Sequence, residues 1–163
     1  MMVLRATKLL AQKLNIKSLQ NYDAKVSAFE EWYGHYFTVK EMEFILFTNA
    51  FSLYSTLVPG EGINNLDTFI ELASLCLAGV LKTQGCEKMV GRFNLNNREN
   101  VVVSKTVNRS VQGSMNDMIN LSQFYLLEQR MTPIEISKKL NETPFSYLKY
   151  KNPLAVIKQM TLS

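Results

Sequence analysis

The stretch EWYGHYFTVKEMEFILFTN, residues 31–49, decides the fold class of this chain. Aromatic and β-branched residues dominate positions 31–39 and 43–49, and residues 40–42 separate the two runs. Runs of this composition with a short connection between them are typical of an antiparallel β-hairpin. The sequence therefore predicts two neighbouring strands of one sheet.

Other segments of the chain add strands to this hairpin. Short apolar runs at Val3–Thr7 and Phe51–Val58 predict a strand before it and a strand after it, and Pro59-Gly60-Glu61-Gly62 marks a turn. Val101–Val107 is rich in valine and predicts another strand. No internal repeat, linker or low-complexity tract divides the chain. We therefore expect a single α+β domain, residues 1–163, with a mixed, mainly antiparallel sheet of about five strands.

Helical periodicity and capping signals predict about five helices, which we expect on one face of the sheet. The clearest helix begins at Leu66, with Asn64 or Asn65 as its cap, and ends near Gly85. Thr132-Pro133-Ile134-Glu135 has the residue pattern of a capping box. Further elements are predicted as helices at Lys8–Asn15, Ser114–Arg130 and from Asn152-Pro153 onward, a helical turn at Cys86–Phe93 and an Asn-rich loop at Asn94–Asn100.

The composition is that of an ordinary globular domain. Of the 163 residues, 47% are hydrophobic and 20% are charged, and a chain of this length can bury a core of its own. No segment approaches the roughly 20 apolar residues of a membrane-spanning helix, so we expect no membrane association. Cys76 and Cys86 lie ten positions apart without a neighbouring histidine. This spacing argues against a disulfide scaffold and favours a reducing, cytoplasmic compartment.

The sequence does not indicate a metal site or a cofactor site. The chain has one histidine and no pair of His or Cys ligands at metal-binding spacing. It also lacks the glycine-rich loops of nucleotide-binding proteins and the GxSxG motif of acyl-transfer enzymes. We therefore expect neither a metal nor a cofactor, and the sequence does not decide whether the protein is an enzyme.

The formal charge of +4 is distributed unevenly along the chain. Residues 1–20 carry four bases and no acids, residues 21–81 carry eight acids and two bases, and residues 130–163 carry six bases and two acids. If both termini pack on one side, that side is basic and suits a polyanion; the alternative is a solvated surface without a partner. The basic N-terminal residues also suit a targeting peptide, but they lack the apolar run of a secretory signal and fit a first strand and helix.

The chemically densest segment is NRSVQGSMND, residues 108–117, which we call the central segment; it lies between a predicted strand and a predicted helix. Arg109 offers a planar set of donors for phosphate or carboxylate, and Gly113 lets a ligand approach the backbone. A helix that begins near Ser114 would direct free N–H groups to the same place. The alternative is a structural junction, in which Arg109 pairs with an acid and the other polar residues form turns and caps. The anion-site candidates are Asn108, Arg109, Ser110, Ser114, Asn116 and Asp117.

Four further residues are secondary candidates. His35 is the only side chain that ordinarily titrates near neutral pH, and it could act as a general base; a lone histidine among aromatic residues is more often a packed structural residue. Arg5 and Lys8 would join the site if the N-terminus approaches residues 108–117. Asn49 ends the LFTN stretch.

Several motifs lie along nearly the whole chain: LRATKLL at residues 4–10, LFTN at 46–49, LYS at 53–55, VPG at 58–60, NRSV and GSMND within 108–117, NETP at 141–144 and YKNP at 150–153. Together they resemble a small, uncharacterised bacterial family known as a domain of unknown function. The sequence carries Tyr33 and Gly34 between Trp32 and His35, where that family tends to have Trp followed directly by His, and Gln112 where it usually has leucine. The resemblance implies no activity, cofactor or substrate, and its most specific motif is the central segment.

Three functions fit these observations. We prefer a non-enzymatic binding or regulatory domain that recognises an anionic partner such as RNA through the central segment and the basic termini, with Tyr147 and Tyr150 stacking on bases. The second is an enzyme of phosphoryl or nucleotide chemistry, such as a nuclease-like toxin, in which Arg109 stabilises charge and His35 or Asp117 moves protons. The third is an antitoxin-like module that binds a protein partner through an exposed apolar patch.

Overall fold

The computed structural model describes residues 1–19, 21–22, 25–95 and 100–162. Its strands are β1 (Met2–Ala6), β2 (Glu31–Val39), β3 (Met42–Asn49), β4 (Ser55–Pro59) and β5 (Val101–Lys105). They form one five-stranded sheet in the order β4-β3-β2-β1-β5. β1 runs parallel to both of its neighbours, and the β2–β3 and β3–β4 pairs are antiparallel. The predicted α+β class and mixed sheet are confirmed.

Helices follow the predicted capping signals. The Asn65 side chain caps the second helix by accepting the N–H of Thr68 at 2.8 Å, and Thr132 and Glu135 form the predicted capping box. Residues 96–99 of the predicted Asn-rich loop lie outside the described residues. The helices of the described chain are α1 (Lys8–Lys13), α2 (Leu66–Thr83), α3 (Met89–Arg92), α4 (Arg109–Leu127), α5 (Pro133–Asn141) and α6 (Pro153–Thr161), with short 3-10 turns at Ala28–Glu30 and Ser146–Leu148.

The predicted hairpin forms the centre of the sheet. β2 and β3 pair continuously from Trp32 opposite Asn49 to Val39 opposite Met42. Gly34 lies in β2 where α1 packs, and a Cβ atom at this position would collide with the Leu10 side chain. The glycine therefore lets α1 approach the sheet closely.

Helices cover both faces of the sheet, and the expectation of a one-sided arrangement is wrong. Trp32 and Phe47 belong to a core that includes residues of α1, α2, α3 and α6. Tyr33 and Leu46 belong to a second core, on the opposite face, with residues of α4 and α5. The reason lies in β3, where Phe44-Ile45-Leu46-Phe47 has an apolar side chain at every position. A strand with this pattern is stable when both of its faces are buried.

The helix α5 covers the outer edge of β4. The Ser137 hydroxyl accepts the backbone N–H of Leu57 at 2.8 Å. The Asn141 side chain accepts the N–H of Ser55 at 2.8 Å and donates to the Ser55 carbonyl at 2.9 Å. Both helical side chains are fully buried. They satisfy backbone groups that would otherwise be left without partners at the edge of the sheet.

The junction between β5 and α4 is shorter than the sequence predicts. A strand to Val107 and a helix from about Ser114 are expected, but β5 ends at Lys105 and α4 begins at Arg109. The strand ends because its partner ends: Ala6, the last residue of β1, pairs with the last residue of β5. A β-branched sequence cannot extend a strand that has no neighbour to bind.

Asn108 is the residue that starts α4. Its Oδ1 accepts the N–H groups of Ser110 and Val111 at 2.9 and 3.1 Å. Val111, Met115 and Met118 then recur at helical spacing and are buried against the sheet. The segment 108–117 is therefore a cap followed by the first turns of a helix.

Candidate functional site

One face of α4 and the segment that follows α5 enclose a shallow polar groove, which we call the α4 groove. It consists of two adjoining cavities of about 630 and 580 Å³ that share Ser114, Asp117 and Ser146. The α4 side is lined by Ser110, Gly113, Ser114, Asp117, Asn120 and Leu121, and the opposite side by Thr143, Pro144, Phe145, Ser146, Tyr147 and Tyr150.

Some residues of the central segment line this groove, and others lie on a different surface of α4. Ser110, Ser114 and Asp117 line the groove, and the buried Ser114 hydroxyl donates to the Ser110 carbonyl at 3.0 Å. Arg109 and Asn116 are exposed but are not among the lining residues. Within the described chain Arg109 forms no ion pair with Asp117. The helical period explains this division, because side chains on adjacent positions point in different directions.

The start of α4 does not present the free N–H groups expected near Ser114. That residue lies inside the helix, and the Asn108 side chain already binds two N–H groups of the first turn. The N–H of Asn108 itself donates to the Tyr33 hydroxyl at 3.0 Å. The expectation of a helix N-terminus at Ser114 is wrong, and Asn108 has a capping role that fixes α4 to the sheet.

The opposite wall of the groove is held in a strained backbone conformation. Lys149 and Tyr150 have φ angles of 54° and 66°, in the left-handed region that residues other than glycine rarely adopt. Each such residue costs on the order of 1–3 kcal/mol, and surrounding contacts must hold it in place. The N–H of Tyr150 donates to the Phe145 carbonyl at 2.9 Å, and the N–H of Phe145 donates to the Lys151 carbonyl at 3.2 Å. The side chain of Tyr150 nevertheless remains 77% exposed.

Tyr147 anchors the same wall to the turn that follows β3. Its hydroxyl donates to the Ala50 carbonyl at 3.0 Å. Burial raises the pKa of the Tyr147 hydroxyl, with smaller upward contributions from Tyr33 and Glu31, and a hydrogen bond with Asn108 lowers it. The two hydrogen bonds of Tyr147 connect the groove wall to Ala50 and to the cap of α4. The exposed Tyr150 is therefore displayed from a fixed support.

Arg5 and Lys8 are not part of the α4 groove. Arg5 is 5% exposed, and its Nε donates to the Glu31 carboxylate at 2.9 Å. One terminal nitrogen of its guanidinium donates to the Ser104 hydroxyl at 3.0 Å, and the other donates to the Tyr22 carbonyl at 3.4 Å. Lys8 is exposed at the start of α1. Arg5 therefore forms a buried ion pair that joins β1, β2 and β5, and neither residue lines the α4 groove.

His35 and Asn49 also lie away from the groove lining. His35 is half-buried in β2, and burial lowers the pKa of its imidazole. Asn49 is fully buried and stabilises the turn after β3. Its Oδ1 accepts from both the N–H and the hydroxyl of Ser52, and its Nδ2 donates to the Phe29 carbonyl at 2.9 Å. The asparagine of the LFTN motif thus has a structural role in this turn.

The groove also contains residues that the sequence did not indicate as site residues, among them Asn120, Leu121, Phe145 and Ser146. Asn120 and Leu121 lie one helical turn beyond Asp117, so the periodicity of α4 could have identified them. Phe145 and Ser146 come close to α4 only through the tertiary fold. No pattern in the local sequence specifies that contact.

The described residues contain no group of three or more His, Cys, Asp or Glu side chains arranged to hold a metal ion. None of their helices is both long enough and apolar enough to cross a bilayer.

Comparison with known proteins gives one finding. Residues 3–156 match the model of a family described as a domain of unknown function, DUF6933. No curated protein and no solved structure matches the chain. Because the match extends over residues 3–156 of the 163, the chain belongs to the DUF6933 family.

Proposed function

We propose that this protein is a non-enzymatic domain that binds single-stranded RNA in the α4 groove. The observation that carries the proposal is the display of Tyr150, an aromatic residue that is 77% exposed at the groove and held on a strained backbone. Exposed aromatic rings bind single-stranded nucleic acids by stacking on bases, and neighbouring cations bind the phosphates. Lys149 and Lys151, both exposed, flank this ring.

The surroundings of the groove support the same proposal. Exposed Arg109 precedes the lining residue Ser110 at one end, and the two lysines beside Tyr150 lie at the other. The lining between them carries several hydroxyl groups and the amide of Asn120, which can bind the sugars and base edges of RNA. A strand of RNA could therefore place its bases in the groove and its phosphates along a cationic rim.

The change Tyr150→Ala tests the stacking contact directly. We expect it to weaken binding of a short, fluorescein-labelled single-stranded RNA by roughly 5- to 150-fold, the effect of losing one stacked base. Fluorescence anisotropy measures the affinity. Tyr150→Phe should keep most of the affinity, because the ring remains, and Leu75→Ala, which removes a 61% exposed side chain of α2, should leave it unchanged.

The dependence of the RNA affinity on salt concentration tests the contacts between the lysines and the phosphates. Binding should weaken steeply as salt rises, and the double change Lys149→Ala/Lys151→Ala should reduce the slope of log affinity against log salt by about 0.7 per lost phosphate contact. The charge-matched double change Lys82→Ala/Lys158→Ala removes two exposed lysines outside the groove and should keep the slope. Undetectable or salt-insensitive binding of RNA would contradict the proposal.

A further inference from the structure

We infer that the α4 groove selects guanine among the four RNA bases. The inference rests on the proposed function and assigns the part of the RNA that the groove contacts. It follows from the charge and hydrogen-bonding groups of the lining and from the position of Asp117 within them.

Asp117 is the one charged side chain among the described residues that line the groove. Asp117 is exposed and lines both cavities, so it lies where they meet. A carboxylate repels phosphate and can only accept hydrogen bonds. The part of the RNA that enters the groove must therefore be uncharged and must carry donors, while the phosphates remain outside with Arg109, Lys149 and Lys151.

Guanine is the base whose Watson–Crick edge fits a carboxylate best. It presents N1–H and an N2 amino group side by side, so both carboxylate oxygens can accept in parallel, as they do from a bidentate arginine. Adenine and cytosine present one amino group beside a ring nitrogen acceptor. Uracil presents one N–H between two carbonyl oxygens, and these oxygens would face the carboxylate unfavourably. A single carboxylate in the groove therefore discriminates guanine from the other three bases.

The remaining lining complements a flat purine. The larger cavity, about 630 Å³, lies within the roughly 300–1,000 Å³ typical of small-ligand sites. Leu121, Pro144 and Phe145 give it apolar surface, and the Tyr150 ring stands beside them. Asn120 adds an amide that can donate to the guanine carbonyl. Stacking and edge recognition can thus occur in one cavity.

The test compares a short single-stranded RNA that contains one guanine with the same RNA carrying inosine at that position. Inosine lacks only the N2 amino group, so the comparison isolates one donor. We expect the wild-type protein to bind the guanine RNA about tenfold or more tightly than the inosine RNA. The isosteric change Asp117→Asn should remove this preference, and Glu87→Gln, which removes an equal charge at an exposed position outside the groove, should preserve it.

The outcomes separate this inference from the proposed function. A guanine preference that is lost in Asp117→Asn while the salt-dependent affinity for inosine RNA remains would support the inference. Equal binding of guanine and inosine RNA by the wild-type protein, or a preference that survives in Asp117→Asn, would overturn it and leave RNA binding intact. If neither RNA binds, the proposed function fails and the inference fails with it.

Discussion

Replacing Arg5 by methionine is expected to lower the free energy of unfolding by about 3–5 kcal/mol. Arg5 is 5% exposed, and its guanidinium binds the Glu31 carboxylate, the Ser104 hydroxyl and the Tyr22 carbonyl. Methionine fills much of the same volume but supplies no donors, so the Glu31 carboxylate would remain partly buried without its cation. Urea unfolding followed by the fluorescence of Trp32, the only tryptophan of the chain, measures the loss.

The double change Arg5→Met/Glu31→Leu is the control for this explanation. It removes both charges together, so it should be clearly more stable than Arg5→Met alone, because no unpaired carboxylate is left. If the two variants are equally unstable, the loss comes from packing and the ion-pair explanation is wrong.

The second large effect is expected from Trp32→Ala, again about 3–5 kcal/mol. Trp32 is 1% exposed, and its ring stacks on Phe47 with centroids 4.6 Å apart and meets the edge of Phe93 at 5.0 Å. Alanine would leave a cavity in the core that joins β2 to α3. Thermal unfolding measured by circular dichroism should show a midpoint lower by roughly 6–20 °C.

Trp32→Phe separates the role of the ring from that of its size. Phenylalanine keeps an aromatic face against Phe47 and fills part of the volume, so it should lose less than half as much stability as alanine. Equal losses in both variants would mean that the indole as a whole, and not the stacked aromatic pair, stabilises this core.

The central hairpin was predictable because its signal is local. Residues 31–39 and 43–49 alone contain the aromatic and β-branched runs that form β2 and β3, and the structure confirms both strands. The same residues also contained the information that both faces of the sheet are covered, since Phe44-Ile45-Leu46-Phe47 does not alternate with polar residues. The expectation of helices on one face overlooked that pattern.

The start of α4 shows where local signals fail. Ser110 and Gly113 have low helix propensity, which fits the predicted loop up to Ser114. The buried stripe that includes Val111 and Met115 overrides that propensity, because packing against the sheet stabilises the helix more than the weak formers destabilise it. Helix boundaries set by tertiary packing cannot be derived from propensity alone.

Only part of the candidate site could be predicted from the sequence. The composition of the segment 108–117 singled out Ser110, Ser114 and Asp117 on the α4 side, but Asn120 and Leu121 lie beyond that segment. The other wall depends on the contact between α4 and the segment 143–150, more than twenty residues later in the chain. The left-handed conformation of Lys149 and Tyr150 likewise has no sequence signal, since neither residue favours it. Long-range packing determines both features.

The outer edge of β4 has a consequence for self-association. Its backbone groups are bound by Ser137 and Asn141 of α5 and not by another strand, so protection of this edge depends on the helix remaining docked. A local opening that releases α5 would expose the edge while the rest of the sheet persists. Two molecules could then pair edge to edge. Aggregation of this protein on heating is therefore expected to begin with the detachment of α5, before the sheet itself unfolds.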